Sequence, residues 1–517
     1  MALPLRPLFV DHATLMTFVS ISFVIFFMVV VLGLRLAPSR NLRQWLVLLA
    51  SLWFYASWKP IYLLVLAAPT LIDYFCAIRI EESADAAVRK SWLTTGVASN
   101  LLLLAYFKYA NFFLNNMALL SGNAPRHLDI VLPLGISFFT FKSLSYTIDV
   151  YRRELPTCRS LWRYALFVCY FPDLIAGPIV RASVFLPQMD RSLRLSWRRT
   201  IVGCHMILLG VTKKLLIADQ MAIFVDPVFA APGMYSPFTI WSGVIAYSLQ
   251  IYCDFSGYSD MAIGVSKIIG IDLPENFNMP YLAVSPVDFW RRWHISLSNW
   301  LRDYLYFALP ASRVKPWHRY RNATITFLLS GLWHGASWTF VCWGALHGLA
   351  LAASHWWGAR RARLRRAPSK SIGVRFARWL ATYVFVCTTW VLFRAQSFST
   401  ALSMLRKMAG LAPGGIPWLY SPLLLVFPIV VMGHVIGILA ARTTAQIGSG
   451  RKFASPTWVA SLYASARASF IVRSSRLSGV YVFTRPRFFG AFLIASWVLA
   501  LLLFGATGAN PFVYFQF

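Results

Sequence analysis

The chain is poor in acidic side chains. Its 517 residues include 18 Asp and Glu against 49 Lys and Arg, which gives a net charge of +31. No Asp or Glu follows Asp303, although 23 of the basic residues lie beyond it. A polar side chain in this C-terminal part therefore has no acidic partner from the same stretch of sequence.

Charge of either sign is scarce as well, at 13% of the residues, whereas soluble domains carry about 25%. Apolar residues make up 58% of the chain and the mean hydropathy is +0.59, so the sequence predicts an all-α integral membrane protein. A membrane span needs about 20 mostly apolar residues. We expect about 11 spans, with shorter pieces that enter without crossing. The candidate segments are 14–34, 44–58, 60–78, 92–107, 129–150, 201–228, 238–271, 321–334, 337–357, 379–397, 419–441 and 488–508.

The basic residues are dispersed in loops between apolar segments, which is typical of cytoplasmic loops and disfavours nucleic acid as a partner. Arg35, Arg40 and Arg43 follow the first apolar segment and place the N-terminus outside. The basic run 360–370 is interpreted as an inner loop that faces anionic lipid; attraction of an acidic cytosolic donor is the less favoured alternative. These patterns predict a multi-pass membrane protein.

Several kinds of site are absent from the sequence. The seven Cys residues form no CxxC pair and indicate neither disulfides nor metal ligands. There is no GxSxG elbow, no GxxxxGK[ST] or GxGxxG loop and no HExxH helix. Two separated histidines are too few for a zinc site, so we expect no bound metal. No cleavable signal peptide is apparent, and the first apolar segment is expected to remain as a span.

Two segments depart from the pattern of simple spans. Segment 165–180 is short, contains Pro172, Asp173 and Gly177, and has basic residues on both sides. We interpret it as a re-entrant loop, because irregular backbone at membrane depth must be buried in protein or line a wet cavity. Segment 442–487 is interpreted as a cytoplasmic insertion in an otherwise single membrane domain, residues 1–517.

Segment 285–306 predicts one helix that is interfacial or packed around a cavity, with Ser285 as N-cap, Pro286 at the first position and Asp288 near the positive end of the dipole. At helical spacing its residues divide into two faces. The apolar face holds Trp290, His294, Leu297, Leu301 and Leu305, and the polar face holds Arg292, Ser296, Asn299 and Asp303. A lone histidine such as His294 on an apolar face is commonly a packing residue, so both roles stay open.

His334 is the strongest candidate for chemistry, because ionisable residues inside membrane-like sequence are functional by default. Gly331 and Gly335 flank it and allow backbone or substrate to approach closely. Burial disfavours the imidazolium form, and a neutral imidazole is what a general base requires. An orienting partner would be a backbone carbonyl or one of four carboxylates. These are Asp254, Asp260, Asp288 and Asp303. His347 could be a second polar group of the site, but structural packing is the favoured interpretation.

Together, several motifs make the chain resemble the membrane-bound O-acyltransferase family, in particular its bacterial alginate O-acetyltransferase branch. The motifs are YASWKPIYLLVL (55–66), YFKYANFF (106–113), LPLGISFFTFKSLSYTIDVYR (132–152), FPDLIAGPIVR (171–181), LQIYCDFSGYSDMAIG (249–264), the segment 285–306, SGLWHGASWTF (330–340), WVLFRAQSF (390–398) and PFVYFQF (511–517). One departure is Asp173, where similar proteins more often carry Gln or His.

This resemblance implies a ring of helices around a central tunnel, with His334 as the catalytic histidine and His294 as the second characteristic polar residue. It implies acetyl transfer from a cytosolic thioester, acetyl-CoA, with no bound cofactor, toward a secreted polysaccharide such as alginate through an extracytoplasmic SGNH-type acetyltransferase partner. Trp333, Asn299, Asp303 and Asp254 are further candidates for substrate contacts. D-alanyl or other acyl transfer to a cell-wall polymer, or a non-catalytic transporter or scaffold for polysaccharide export, are the alternatives.

Overall fold

The protein is described by a computed structural model that covers residues 16–124, 127–190, 193, 195–310, 316–365 and 371–448, with 471–472, 482–483, 497, 501 and 512. Helices dominate the described chain. The helices of the first half are α1 (Ile21–Leu36), α2 (Arg40–Ala56), α3 (Tyr62–Glu82), α4 (Ala86–Leu104), α5 (Ala110–Ser121), α6 (Ile136–Tyr151), α7 (Leu161–Cys169), α8 (Phe171–Leu174), α9 (Ala182–Met189), α10 (Trp197–Thr212) and α11 (Asp219–Ala230).

The second half begins with the longest helix and ends with a small strand pair. Its helices are α12 (Pro237–Ile269), α13 (Pro286–Trp290), α14 (Ile295–Trp300), α15 (Pro316–His334), α16 (Trp338–Arg363), α17 (Ile372–Arg394), α18 (Phe398–Met408) and α19 (Ser421–Gly448). Strand β1 (Ile471–Val472) pairs antiparallel with β2 (Val482–Phe483). Three π-helical turns and two 3₁₀ turns complete the set: Ala105–Tyr109, Lys213–Ala218, Leu301–Tyr306, Pro232–Met234 and Pro280–Leu282.

The predicted apolar segments coincide with helices wherever the structure describes them. For example, segment 238–271 corresponds to α12, and segments 321–334 and 337–357 correspond to α15 and α16. Segment 488–508 lies outside the described residues except at 497 and 501, and the expected insertion 442–487 lies outside them except at the end of α19 and the strand pair.

Four helical stretches in the described part of the chain are long and apolar enough to cross a membrane: Tyr62–Glu82, Ala86–Ser121, Trp197–Ala230 and Ile372–Arg394. Two shorter apolar helices are Ile21–Leu36 and Ser421–Gly437. The number of about 11 spans stays a prediction.

Helix α12 lies at the centre of the fold. Ser236 caps its N-terminus by accepting a hydrogen bond from the Thr239 amide, Pro237 occupies the first position, and Gly270 ends it in the left-handed conformation (φ 113°). Most of its residues are buried, which is typical of a helix that is surrounded by others. It packs against α10 and α11 on one side and α17 and α18 on another, and so joins the two apolar cores of the chain.

The segment expected to be re-entrant is a broken helix. Helix α7 ends at Cys169, the short α8 follows, and irregular backbone leads to α9. Residues 166–180 are all buried. The irregular backbone is therefore enclosed by protein, as the prediction requires. Whether both ends of this segment lie on one face of the membrane stays a prediction.

The prediction of one continuous helix over 285–306 is wrong. Ser285 does cap α13, accepting a hydrogen bond from the Asp288 amide at 3.1 Å, but the helix ends at Trp290. His294 then has a left-handed backbone (φ 42°) before α14 begins. The backbone here bonds to another segment: Asn278 N donates to Arg292 O and Ile295 N donates to Asn276 O, both at 2.9 Å.

This break also changes the predicted faces. Ser296, assigned to the polar face, is buried. Its hydroxyl donates to Asn276 Oδ1 at 2.6 Å and accepts from Ile179 N at 3.0 Å. Ser296 thus joins α14 to the end of the buried broken segment.

Candidate active site

His334 is the last residue of α15, and α16 begins four residues later. The two helices form a closely packed hairpin. A Cβ on Gly331 would lie 2.2 Å from the carbonyl oxygen of Phe340, so only glycine allows this approach. A Cβ on Gly335 would meet the Phe340 ring at the same distance. The prediction that these glycines allow close approach is confirmed, and in the described structure the approaching group is α16.

The structure brings His294 and His334 together. Their ring centroids lie 6.5 Å apart, although the residues are 40 positions apart in sequence. His294 has no exposed surface and His334 keeps 5% of its surface exposed. The left-handed backbone at His294 turns the chain between α13 and α14 and thereby places its ring opposite the end of α15.

Aromatic rings surround both imidazoles. His334 contacts Trp333, Trp343 and Phe393 edge to face, with centroid distances of 4.8, 5.1 and 5.3 Å. His294 lies edge to face with Phe255 of α12 at 4.6 Å. These rings exclude bulk water from the space between the histidines, which strengthens electrostatic interactions there.

Trp333, predicted to contact substrate, is the ring that touches both histidines. Its centroid is 6.3 Å from that of His294 and 4.8 Å from that of His334. It also stacks on Phe141 of α6, with ring centroids 5.1 Å apart. Trp333 thus packs between α6 and the two histidines and forms a wall of the site.

Asn299 and Asp303 lie further along the chain from His294. Nine residues separate Asp303 from His294, about 13 Å along a helix. Asp303 forms ion pairs with Arg181 and Arg302, and its carbonyl accepts from Arg152 at 3.3 Å.

Arg181 also donates to the backbone carbonyl of Asn299 at 3.3 Å. The structure therefore groups Asn299 and Asp303 with arginines. Their role in binding substrate stays a prediction.

The carboxylates considered as orienting partners are each bonded to a cation. Asp254 and Asp219 share the buried Lys214, each at 2.9 Å. Asp260 pairs with Lys213 at 2.6 Å and Asp288 with Arg292 at 2.8 Å. Asp254 is thus part of a buried charge cluster beside α12.

His347 is held by hydrogen bonds at both ring nitrogens, and its expected packing role stays a prediction. Its Nδ1 accepts from Trp290 Nε1 at 3.2 Å, and its Nε2 lies 3.0 Å from Thr389 Oγ1. Since that hydroxyl donates to Val386 O at 2.8 Å, it accepts from the imidazole, and the ring carries its proton on Nε2. Both ring nitrogens are therefore bonded in the neutral form.

Sequence reasoning missed Lys108 and Tyr109, which both bond to the backbone around His334. Lys108 Nζ donates to Trp333 O at 2.5 Å and to His334 O at 3.2 Å. The Tyr109 hydroxyl donates to Leu332 O at 2.9 Å. A lysine within an apolar segment was the available signal, by the same argument that singled out His334.

Comparison with known proteins identifies the family of this chain. Residues 8–394 match the model of the MBOAT family, the membrane-bound O-acyltransferases. The chain belongs to this family. It is therefore a multi-pass membrane protein and an O-acyltransferase.

Three relatives cover between 54% and 97% of the chain. A probable alginate O-acetylase, AlgI, of Azotobacter vinelandii is 38% identical over 97% of this chain and 100% of its own length. A peptidoglycan O-acetyltransferase of Helicobacter pylori is 40% identical over 71% of this chain and 74% of its own. A teichoic acid D-alanyltransferase of Bacillus subtilis is 29% identical over 54% and 73%.

Proposed function

We propose that the protein takes an acetyl group from cytosolic acetyl-CoA and passes it across the bacterial cytoplasmic membrane for O-acetylation of a secreted polysaccharide such as alginate. An extracytoplasmic acetyltransferase of the SGNH type would complete the transfer to the polymer. The observation that carries this proposal is the pair of imidazoles 6.5 Å apart within a wall of aromatic rings.

His334 acts as the general base in this proposal. Its imidazole takes the proton from the acceptor hydroxyl while the hydroxyl oxygen attacks the thioester carbonyl. The tetrahedral intermediate then collapses, the carbon–sulfur bond breaks, and the imidazolium returns the proton to the leaving thiolate. General base action contributes about 10²–10⁴-fold, so positioning of the reactants must supply more.

His294 is placed to assist the same carbonyl. A ring N–H of His294 would donate to the oxyanion as it forms, or would orient the acceptor hydroxyl. A centroid separation of 6.5 Å makes the two rings neighbours, so one reacting group beside them could be reached by both. The aromatic wall limits competing hydrolysis by excluding water.

The charges at the ends of helix α16 support this direction of transfer. Helix α16 begins at Trp338, close to His334, and ends at a basic run that contains Arg360, Arg361 and Arg363. Its 26 residues span about 39 Å. If the basic end is cytoplasmic, His334 lies toward the outer face, where an acceptor would arrive through the expected central tunnel.

Alginate is favoured over other acceptors by the extent of the similarity. The relative from Azotobacter vinelandii aligns over its entire length, whereas the peptidoglycan and teichoic acid enzymes align over about three quarters of theirs. Acetylation of peptidoglycan and D-alanylation of teichoic acid are the competing activities.

The test uses inside-out membrane vesicles that contain the full chain and its export partners. Radiolabelled acetyl-CoA is supplied, and base-labile label in the purified polymer is counted. We expect His334→Ala to abolish labelling at an unchanged amount of folded protein. His205→Ala is the control, because His205 is another helical histidine, bonded through Nδ1 to Ile201 O; it should label normally.

Three results would contradict the proposal. Normal acetylation by His334→Ala would rule out the base role. Label that enters the polymer from activated D-alanine but not from acetyl-CoA would favour the D-alanyl reaction. Polymer export that falls in His334→Ala without any loss of acetyl groups per sugar would favour a transporter or scaffold.

A further inference from the structure

Helix α15 ends at His334 with its last carbonyl groups directed beyond the helix. The final four carbonyls of any α-helix lack partners within it and need other donors. Gly331 O accepts from Gly335 N at 3.2 Å. The carbonyls of residues 332, 333 and 334 then need donors from outside the helix. These three carbonyls belong to the turn that holds the proposed base.

Two consecutive side chains supply donors to all three carbonyls. Tyr109 donates to residue 332, and Lys108 donates to residues 333 and 334. Both lie at the end of the π-helical turn Ala105–Tyr109, between α4 and α5. Such turns are frequent at functional sites, because they displace side chains from regular helical positions.

The ammonium group of Lys108 is well compensated in this position. It has two carbonyl acceptors. It also lies 5.8 Å from the centroid of the Trp333 ring, a distance at which the aromatic face attracts a cation. Removing a cation from water is costly unless such partners replace the water. Within the described residues, the partners of Lys108 are the backbone and ring of residues 333 and 334, so this lysine is well suited to fix these two residues.

We propose that Lys108, assisted by Tyr109, is a positioning residue for His334. By bonding the last turn of α15, the two side chains set where the imidazole lies relative to His294. This inference rests on the proposed function, because it assumes that the position of His334 determines the rate. A displacement of a reacting group by about 1 Å can cost about 10²-fold in rate.

The test compares Lys108→Met, Lys108→Arg and Tyr109→Phe in the same vesicles, with initial rates measured against acetyl-CoA concentration. We expect Lys108→Met to lower kcat by about 10²-fold with KM for acetyl-CoA unchanged, since only positioning is lost. Lys108→Arg restores a donor and should recover much of kcat. Tyr109→Phe removes one hydroxyl and should lower kcat by less than Lys108→Met.

Lys407 offers a matched control. Its Nζ also donates to two backbone carbonyls, Tyr235 O at 2.5 Å and Gly414 O at 3.1 Å, but those carbonyls lie on other segments than α15. Lys407→Met should lower thermal stability as Lys108→Met does, yet leave kcat per folded protein unchanged. Should Lys108→Met fail to fold, Lys108→Arg and Tyr109→Phe still test the hydrogen bonds to the last turn of α15.

Several outcomes would overturn the inference. These are a wild-type kcat in Lys108→Met, an effect on KM alone, no recovery with arginine, or an equal loss of kcat in Lys407→Met. His334→Ala distinguishes a failure of this inference from a failure of the proposed function. If it is inactive while Lys108→Met is normal, only the positioning role fails; if it is active, the proposed function fails.

Discussion

Lys142 Nζ lies 2.7 Å from Asp173 Oδ1, and both side chains are buried. This ion pair joins α6 to the short α8 inside the broken segment. The rings of Phe167 and Phe185 lie 5.1 and 5.9 Å from the ammonium. Asp173, which stands where similar proteins more often carry Gln or His, is therefore a buried carboxylate paired with a buried cation.

Breaking this pair should destabilise the protein strongly. Asp173→Asn leaves the Lys142 ammonium buried without its counter-charge, which costs about 3–5 kcal/mol. Replacing both partners, as Lys142→Met with Asp173→Leu, should restore much of the stability, because no charge then remains buried. The measurement is the Tm of purified protein in detergent.

The exposed pair Arg159–Glu82 is the control for this experiment. Its N–O distance is also 2.7 Å, but both side chains are about half exposed. Glu82→Gln should change Tm little, since water and salt screen exposed pairs. An equal loss of Tm in Asp173→Asn and Glu82→Gln would contradict the role of burial.

His294 serves both the backbone and the proposed reaction, and two substitutions separate these roles. Histidine and asparagine adopt the left-handed backbone more readily than most residues, so His294→Asn should keep the turn at φ 42° and fold normally. We expect it to lower acetyl transfer because the imidazole N–H is lost. His294→Ala should lose both folded protein and most activity. Unchanged turnover per folded molecule in both variants would reduce His294 to a packing residue.

The positions of the long helices could be predicted because apolar runs of span length leave few other structures possible in lipid. The break at residues 291–294 could not. Helical spacing describes one segment alone, and it cannot reveal that Asn276 and Asn278 offer the competing backbone bonds. Long-range bonds of this kind decide where a polar helix ends.

The contacts between the site residues are also long-range and could not be predicted from local sequence patterns. Lys108 bonds carbonyls 225 and 226 positions away, a relationship that no periodicity contains. The pairing of the aspartates, in contrast, was open to inference. With 49 Lys and Arg for 18 Asp and Glu, a carboxylate has a high chance of meeting a cation before a histidine. Asp260 and Asp288 both follow this expectation.

Gly331 should be difficult to replace in the α15–α16 hairpin. A methyl group there would lie 2.2 Å from Phe340 O, so the helices must separate and the end of α15 must move with them. We expect Gly331→Ala to lower both Tm and acetyl transfer. Gly358→Ala on α16 meets nothing within 4 Å and should keep or raise Tm, because alanine favours the helix. Equal behaviour of the two variants would contradict this account of the packing.

Thr389→Val tests whether His347 acts only in packing. Valine has nearly the shape of threonine but cannot accept the imidazole Nε2–H, and a buried N–H without an acceptor costs about 1–3 kcal/mol. We therefore expect a lower Tm with unchanged kcat per folded protein. Thr388→Val is the matched control, since among the described residues the hydroxyl of this neighbour bonds within its own helix, to Val384 O. Its Tm should stay near the wild-type value. A fall in kcat of Thr389→Val that exceeds the loss of folded protein would instead make His347 a second polar group of the reaction.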